Sequence, residues 1–226
     1  MPGILDKKYH DERNRRIDYK YRLNRRTDEV SNIIQSYFVK TDYNKIKCLD
    51  IGTADGLMLS KLNNLFNFEE ALGIDASKDL IETNSDKKIE LRVADAENMP
   101  FEDNHFDLVI SCAVIEHVNN PDKMIKECLR VTKKNGILII TSPNPIHNKI
   151  AEKIKYFTKG EHIEPLSLKK IKELLRSNSF EVFLDKYFMF FPFFKLPLEK
   201  QIELIIRFFG MGKIMPNQLL AARKIR

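Results

Sequence analysis

The chain has 226 residues, 43% hydrophobic and 31% charged, with a net charge of +6 at neutral pH, a length that suits one compact domain with modest additions. Its glycines and prolines follow no period, which excludes collagen-like and low-complexity readings, and no apolar run reaches the roughly 20 residues that span a bilayer. No secretory signal stands at the start, and Cys48, Cys112 and Cys128 form no C-x-x-C pair, so the expectation is a cytoplasmic protein with neither a disulfide framework nor a metal site.

In chain order, residues 13–38 read as a helix, with Ile17, Tyr21, Val30, Ile33, Ile34 and Phe38 as apolar positions and Arg15, Arg22 and Arg26 along one stripe. We divide the chain into a basic helical cap, residues 1–44, and a domain of residues 45–226. IKCLDI (46–51) is a nearly continuous apolar run, as expected of a strand covered on both faces. A turn of small residues follows, then a helix over 57–66 with leucines at 59, 62 and 65. Further strands are expected at 71–75, 89–95, 106–112 and 136–142. A helix over 121–133 opens with Pro121 in its first turn and carries Met124, Ile125, Cys128 and Leu129 on its apolar face. Residues 167–179 form an amphipathic helix, and 180–190 and 217–224 the last two strands. Strands alternating with helices make a doubly wound α/β fold around a mostly parallel sheet.

Charge is unevenly spread along this order. Residues 1–47 carry a net +5, residues 48–142 a net −7 and residues 143–226 a net +8. An acidic middle between basic flanks suits a cofactor-binding core with additions that meet a phosphate, a carboxylate or an anionic membrane surface. A lysine-rich surface that only maintains solubility is the plain alternative.

The turn after the first strand reads Asp50-Ile51-Gly52-Thr53-Ala54-Asp55-Gly56. Small residues at this hand-over let the backbone bend tightly and approach a ligand in the crevice beyond the strand ends. A dinucleotide fingerprint would need glycine at 54 and 57; the chain has Ala54 and Leu57, which weakens a redox reading. Asp75 and Asp95 close the second and third strands. Acids at three strand ends make a row along one rim, where Asp75 can accept both hydroxyls of a ribose and Asp95 a hydrogen bond from an adenine amine. Singly, each is as well explained as a helix cap or solvated turn.

CLDIGTADG (48–56), GIDAS (73–77), the run from Val93 to Val118 and LRVTKKNGILIITSPNP (129–145) resemble class I S-adenosylmethionine-dependent methyltransferases of the small-molecule, type 11 kind. The resemblance implies a seven-stranded sheet in the order 3-2-1-4-5-7-6 with the seventh strand antiparallel. It also implies that Gly52 and Gly56 border the methionine part of the cofactor, that Asp50, Thr53 and Ala54 of the same loop belong to the cofactor site, that Asp75 holds the ribose and that Ala76 packs on the adenine. Asp95 and the Ala96 amide would read the adenine edge, and Ser111 and Cys112 would line the methionine end. Ala54 stands where the family's loop has its middle glycine. In many relatives an N-terminal helix folds over the cofactor, which makes Arg22, Arg25 and Arg26 candidates for its carboxylate.

The function this implies is methyl transfer from S-adenosylmethionine, leaving S-adenosylhomocysteine, to an oxygen of a small-molecule or lipid-like acceptor. His117 and His162 are the candidate general bases, with His147 a third; each is equally readable as a structural or surface histidine. Two alternatives remain: a non-catalytic protein that binds S-adenosylmethionine and serves as a partner, and an RNA-modifying methyltransferase. After the fourth strand the chain reads SCAV (111–114), without the N/D-P-P-Y motif of base amino methylation, and nucleic acid is not an expected partner.

The long connection at 190–216 must form structure of its own, an insertion between strands six and seven. YFMFFPFF (187–194) holds six aromatic residues in eight. The following helix, 198–209, carries Leu198, Ile202, Ile205, Ile206 and Phe209 on one face, beside Lys195, Lys200, Arg207 and Lys213. A lid over an apolar acceptor, a peripheral membrane contact through 187–213 and burial against the sheet all use these ingredients; for the aromatic run, burial is the expectation.

Overall fold

The computed structural model describes residues 15–146 and 165–225. Its strands are β1 (Lys47–Ile51), β2 (Glu70–Asp75), β3 (Glu90–Val93), β4 (Phe106–Cys112), β5 (Thr132–Pro143), β6 (Phe180–Phe188) and β7 (Asn217–Lys224). The helices among the described residues are α1 (Ile17–Tyr37), α2 (Leu57–Phe66), a short α3 (Lys78–Ile81), α4 (Pro121–Val131), α5 (Leu168–Ser177) and α6 (Glu199–Phe208). The strands make one sheet in the order β3-β2-β1-β4-β5-β7-β6. Pairing is parallel from β3 to β5 and antiparallel on both sides of β7. This is the doubly wound sheet that the alternation and the resemblance lead one to expect.

The central strands are apolar throughout because alternate side chains enter different cores. Ile137 and Ile139 of β5 join Val30 and Ile34 of α1 and Leu59 and Leu62 of α2 on one face. Leu138 and Ile140 join Ile125 and Cys128 of α4 and Ile171 and Leu175 of α5 on the other. Helices on both faces leave the rim at the carboxyl ends of β1 to β4 as the place where a crevice can open.

Several boundaries differ from the sequence reading for local reasons. α4 stops at Val131, two residues early, because Thr132 is already extended, and its hydroxyl donates to the Cys128 carbonyl at 2.5 Å. β5 accordingly begins at Thr132. β6 ends at Phe188, since Met189 takes a φ of +66° and turns the chain. Ile17, read as an apolar position of the first helix, is 77% exposed; α1 meets the core through Tyr21 and, in its second half, Val30, Ile33 and Ile34.

Candidate functional site

The carboxyl ends of four strands adjoin. Asp75 pairs with Val93, and Ile51 pairs with Ile74 on one side and Ser111 on the other. Asp95, Asp75, Asp50 and Ser111 therefore follow one another along a single rim. The loop after β1 folds back onto β2, with the Gly52 and Thr53 amides both donating to the Ile74 carbonyl, at 2.8 and 3.0 Å. Gly52 has φ +69°, and a Cβ there would lie 2.2 Å from Val114 Cγ2, so only glycine fits. Gly56, which opens α2 at φ +78°, is also crowded: its Cβ would lie 2.7 Å from Ile89 Cδ1.

Asp75 is held across this loop. Its Oδ2 accepts from the Ala54 amide and its Oδ1 from the Ser77 amide, both at 2.9 Å. A carboxylate oxygen can accept more than one hydrogen bond, so the fixed carboxylate keeps the capacity to take ribose hydroxyls. Asp95 accepts from the Glu97 amide at 2.8 Å. Ala76 is exposed and Ala96 half-buried beside these acids. Ala54 sits at φ +54°, a conformation that costs a residue with a Cβ roughly 1–2 kcal/mol. Ala54→Gly is therefore expected to stabilise the protein, by about 0.5–1 kcal/mol after the added freedom of the unfolded chain is subtracted. Urea denaturation measures it, and the Asp75 bond, made to backbone, survives the change.

Behind the rim lie groups with polar atoms that meet no partner among the described residues. Asp50 is 1% exposed; its Oδ2 accepts from the Thr53 hydroxyl at 2.9 Å, while Oδ1 has no hydrogen bond. Burial pushes its carboxyl up to about 7, against the lowering effect of the Thr53 bond and with a further push from the charge of Asp75. Ser111 is fully buried and its hydroxyl unpaired. Glu116, in the turn after β4, is 2% exposed, and neither of its oxygens has a hydrogen bond. Burial raises it to about 7, with its own backbone amide and the positive charge of Arg26 pulling the other way. Cys112 lies among Asp50, Arg26 and Glu116, and burial pushes its thiol up to about 12. At neutral pH it lines the site as a thiol and is no thiolate nucleophile.

The three arginines of α1 part company. Arg22 pairs with Asp18 at 2.9 Å. Arg25 is buried in a cluster with Glu29, Glu199 and Glu203. Arg26 reaches the strand ends, donating to Asn217 Oδ1 at 3.2 Å within electrostatic range of Cys112 and Glu116. His117 is half-buried beside Glu116, its amide donating to the Val114 carbonyl at 2.7 Å. His147 and His162 lie outside the described residues. The sequence reading passed over Glu116, although an acid directly behind the apolar end of a central strand is a visible signal. It also passed over Glu97, whose Oε1 accepts from the Asn119 and Asn120 amides at 2.7 and 3.0 Å and so ties the loop after β3 to the turn after β4.

Residues 49–140, which contain this rim, match the family model described as "Methyltransferase domain". The match identifies residues 49–140 as a methyltransferase domain. The chain is 34% identical over 122 residues to the ubiquinone biosynthesis O-methyltransferase of Pelagibacter ubique, covering 50% of each chain. It is also 38% identical over 96 residues to the tRNA (carboxymethyluridine(34)-5-O)-methyltransferase of Arabidopsis thaliana, covering 41% of this chain and 23% of that one. The methyltransferase fold resembles that of the S-adenosylmethionine-dependent methyltransferase from Mesorhizobium loti with a TM-score of 0.64 at 14% identity, over 85% of this chain and 96% of the other. The chain thus spans about half the length of the first of these relatives and less of the second.

Proposed function

We propose that the protein binds S-adenosylmethionine at the rim of β1 to β4 and transfers its methyl group to an oxygen of a small-molecule or lipid-like acceptor. The observation that carries the reading is the row Asp95, Asp75, Asp50, backed by the buried and unpaired Asp50 Oδ1, Ser111 hydroxyl and Glu116 carboxyl. Buried polar groups are rarely left unpaired without a ligand or water to meet them, and an acidic set of this kind fits a cationic one. S-adenosylmethionine supplies a methyl group made electrophilic by a sulfonium sulfur. Asp75 holds the ribose, and Asp95 and the Ala96 amide meet the adenine. Asp50 and Glu116 face the positively charged end with negative charge, while Arg26 faces the carboxylate. The chain's remaining task is alignment and exclusion of water, with His117 or His162 receiving a proton if a hydroxyl is the acceptor. The oxygen-methylating relative that works in quinone biosynthesis supports the acceptor class.

Calorimetry with S-adenosylmethionine and S-adenosylhomocysteine tests the binding step. Labelled-methyl transfer into fractionated lipids, metabolites and RNA tests the reaction; label in RNA alone, or binding without transfer, would replace the proposed acceptor or the enzymatic reading respectively.

The two raised carboxyls make a pH prediction with a definite sign. Asp50 and Glu116 titrate near 7 when folded, against 3.8 and 4.5 for their ordinary values. Their neutral forms favour folding below those ordinary values, and the contribution is lost as pH rises through about 7. The ligand-free protein is therefore expected to melt at a lower temperature at pH 8 than at pH 6. Binding of the sulfonium cation favours the ionised forms, so S-adenosylmethionine should bind about tenfold more tightly at pH 8 than at pH 6. S-adenosylhomocysteine, lacking that charge, should change less. Calorimetry at both pH values measures the contrast.

A further inference from the structure

Helix α6 is amphipathic in reverse. Its inward residues are Glu199, Glu203 and Ile206, at 5%, 1% and 8% exposure. Its outward face carries Leu204 at 60%, Ile205 at 57% and Phe208 at 86%, continued by Phe209 just beyond the helix. Of the stripe Leu198, Ile202, Ile205, Ile206 and Phe209, only Ile206 is buried, while Leu198, Ile205 and Phe209 are exposed, and the burial expected of the aromatic run holds only in part. The aromatic run divides likewise: Phe188 is buried, whereas Phe190 and Phe194 are exposed.

The cause is polar. Glu203 Oε1 accepts from the Met189 and Phe190 amides at 2.8 and 3.0 Å, and both of its oxygens accept from Arg25 Nη2 at 3.0 Å. Glu199 accepts from the Tyr21 hydroxyl and lies 3.3 Å from Arg25 Nε. The helix is turned so that its acids reach a buried arginine, and its leucine, isoleucine and phenylalanine are left facing water. Contiguous exposed apolar surface of this kind marks a contact site.

We propose that this face docks in the interfacial layer of an anionic lipid bilayer. The charge around it selects that partner. Residues 190–216 hold two acids, Glu199 and Glu203, both buried, so the exposed charges there are those of Lys195, Lys200 and Lys213, with Arg207 half-exposed. A rim of one sign attracts anionic headgroups, whereas a self-complementary contact between two copies would set these lysines against one another. Phe194 and Leu198 also line a cleft of about 730 Å³ with Ile17 and Tyr21, where Lys20, Lys195 and Lys200 outnumber the exposed Asp28. A ten-residue helix is about 15 Å long, half the hydrocarbon thickness, and no described helix is long and apolar enough to cross a membrane. α6 therefore lies in the plane of the surface.

Co-sedimentation of the full chain with vesicles of phosphatidylcholine alone, or mixed with phosphatidylglycerol, tests the docking. Binding to the mixed vesicles is expected, weakening as salt is raised from about 0.1 M to 1 M. The variant Leu204→Ser, Ile205→Ser, Phe208→Ser changes exposed side chains and should fold normally while losing at least about tenfold in vesicle partition. No binding to mixed vesicles at low salt overturns the proposal, as does undiminished binding of the variant. A wild-type dimer that the variant dissolves would assign the face to a second copy instead. Calorimetry with S-adenosylmethionine on both proteins keeps the two readings apart. Wild-type protein that binds the cofactor but not the mixed vesicles sinks only the docking, and wild-type protein that binds the vesicles but not the cofactor sinks only the proposed function.

Discussion

Arg25→Ala is expected to destabilise the protein by about 3–5 kcal/mol, the usual consequence of removing one partner from a buried ionic cluster. The guanidinium is 4% exposed and faces Glu29, Glu199 and Glu203 at 3.0 to 3.3 Å. Glu29 keeps Lys186 at 2.5 Å and Glu203 keeps Arg207 at 3.5 Å. Glu199 retains only the Tyr21 hydroxyl among its described hydrogen bonds. The loss should therefore concentrate on α6 and on its hold over the start of the loop after β6. Hydrogen exchange should show the α6 amides deprotected well beyond the global change, and urea denaturation supplies the total. Arg25→Lys keeps the charge without the planar fork and should recover only part of the loss. A variant as stable as the wild type, with α6 equally protected, would mean that apolar contacts hold the helix.

Asp75→Ala is expected to weaken S-adenosylmethionine binding at least about 100-fold. Two hydrogen bonds from ribose hydroxyls to a carboxylate are worth about 1.5–3 kcal/mol each, and roughly 2.7 kcal/mol already corresponds to 100-fold in Kd. The substitution also removes the acceptor for the Ala54 and Ser77 amides, so some stability is lost with it. Asp75→Asn separates the effects, since its carbonyl oxygen can still serve one amide while its NH2 cannot accept from a ribose hydroxyl. Both variants should lose affinity for S-adenosylhomocysteine to the same degree, because the ribose is common to the two ligands. Calorimetry on proteins shown by thermal melting to be folded measures it, and tight binding by Asp75→Ala would remove the aspartate row as the cofactor site.

The two variants fall on opposite sides of a divide between local and distant information. The sheet was legible because each central strand must be apolar on both faces, a pattern carried in six or seven consecutive residues such as FDLVISC (106–112). The aspartate row was legible for a related reason. A parallel sheet with one crossover per strand brings successive carboxyl ends to the same rim, so acids at or just beyond the ends of β1, β2 and β3 end up along one rim without any knowledge of side-chain contacts. The tight bend at Gly52 and Gly56 belongs with them, because a positive φ is a demand that the residue itself reveals.

Tertiary structure alone decided the rest. Periodicity in 198–209 identifies a helix with an apolar stripe, but not which side faces the protein; that was set by Arg25, 178 residues before Glu203, whose buried charge must be met by carboxylates. Which of Arg22, Arg25 and Arg26 reaches the strand ends depended likewise on how α1 lies across the sheet. Glu116 gained its raised pKa from burial, which no window of sequence contains. Hydrophobic pattern and turn chemistry act between near neighbours and can be read from the chain, whereas the pairing of a buried charge is a contact between distant segments and exists only once the fold has brought them together.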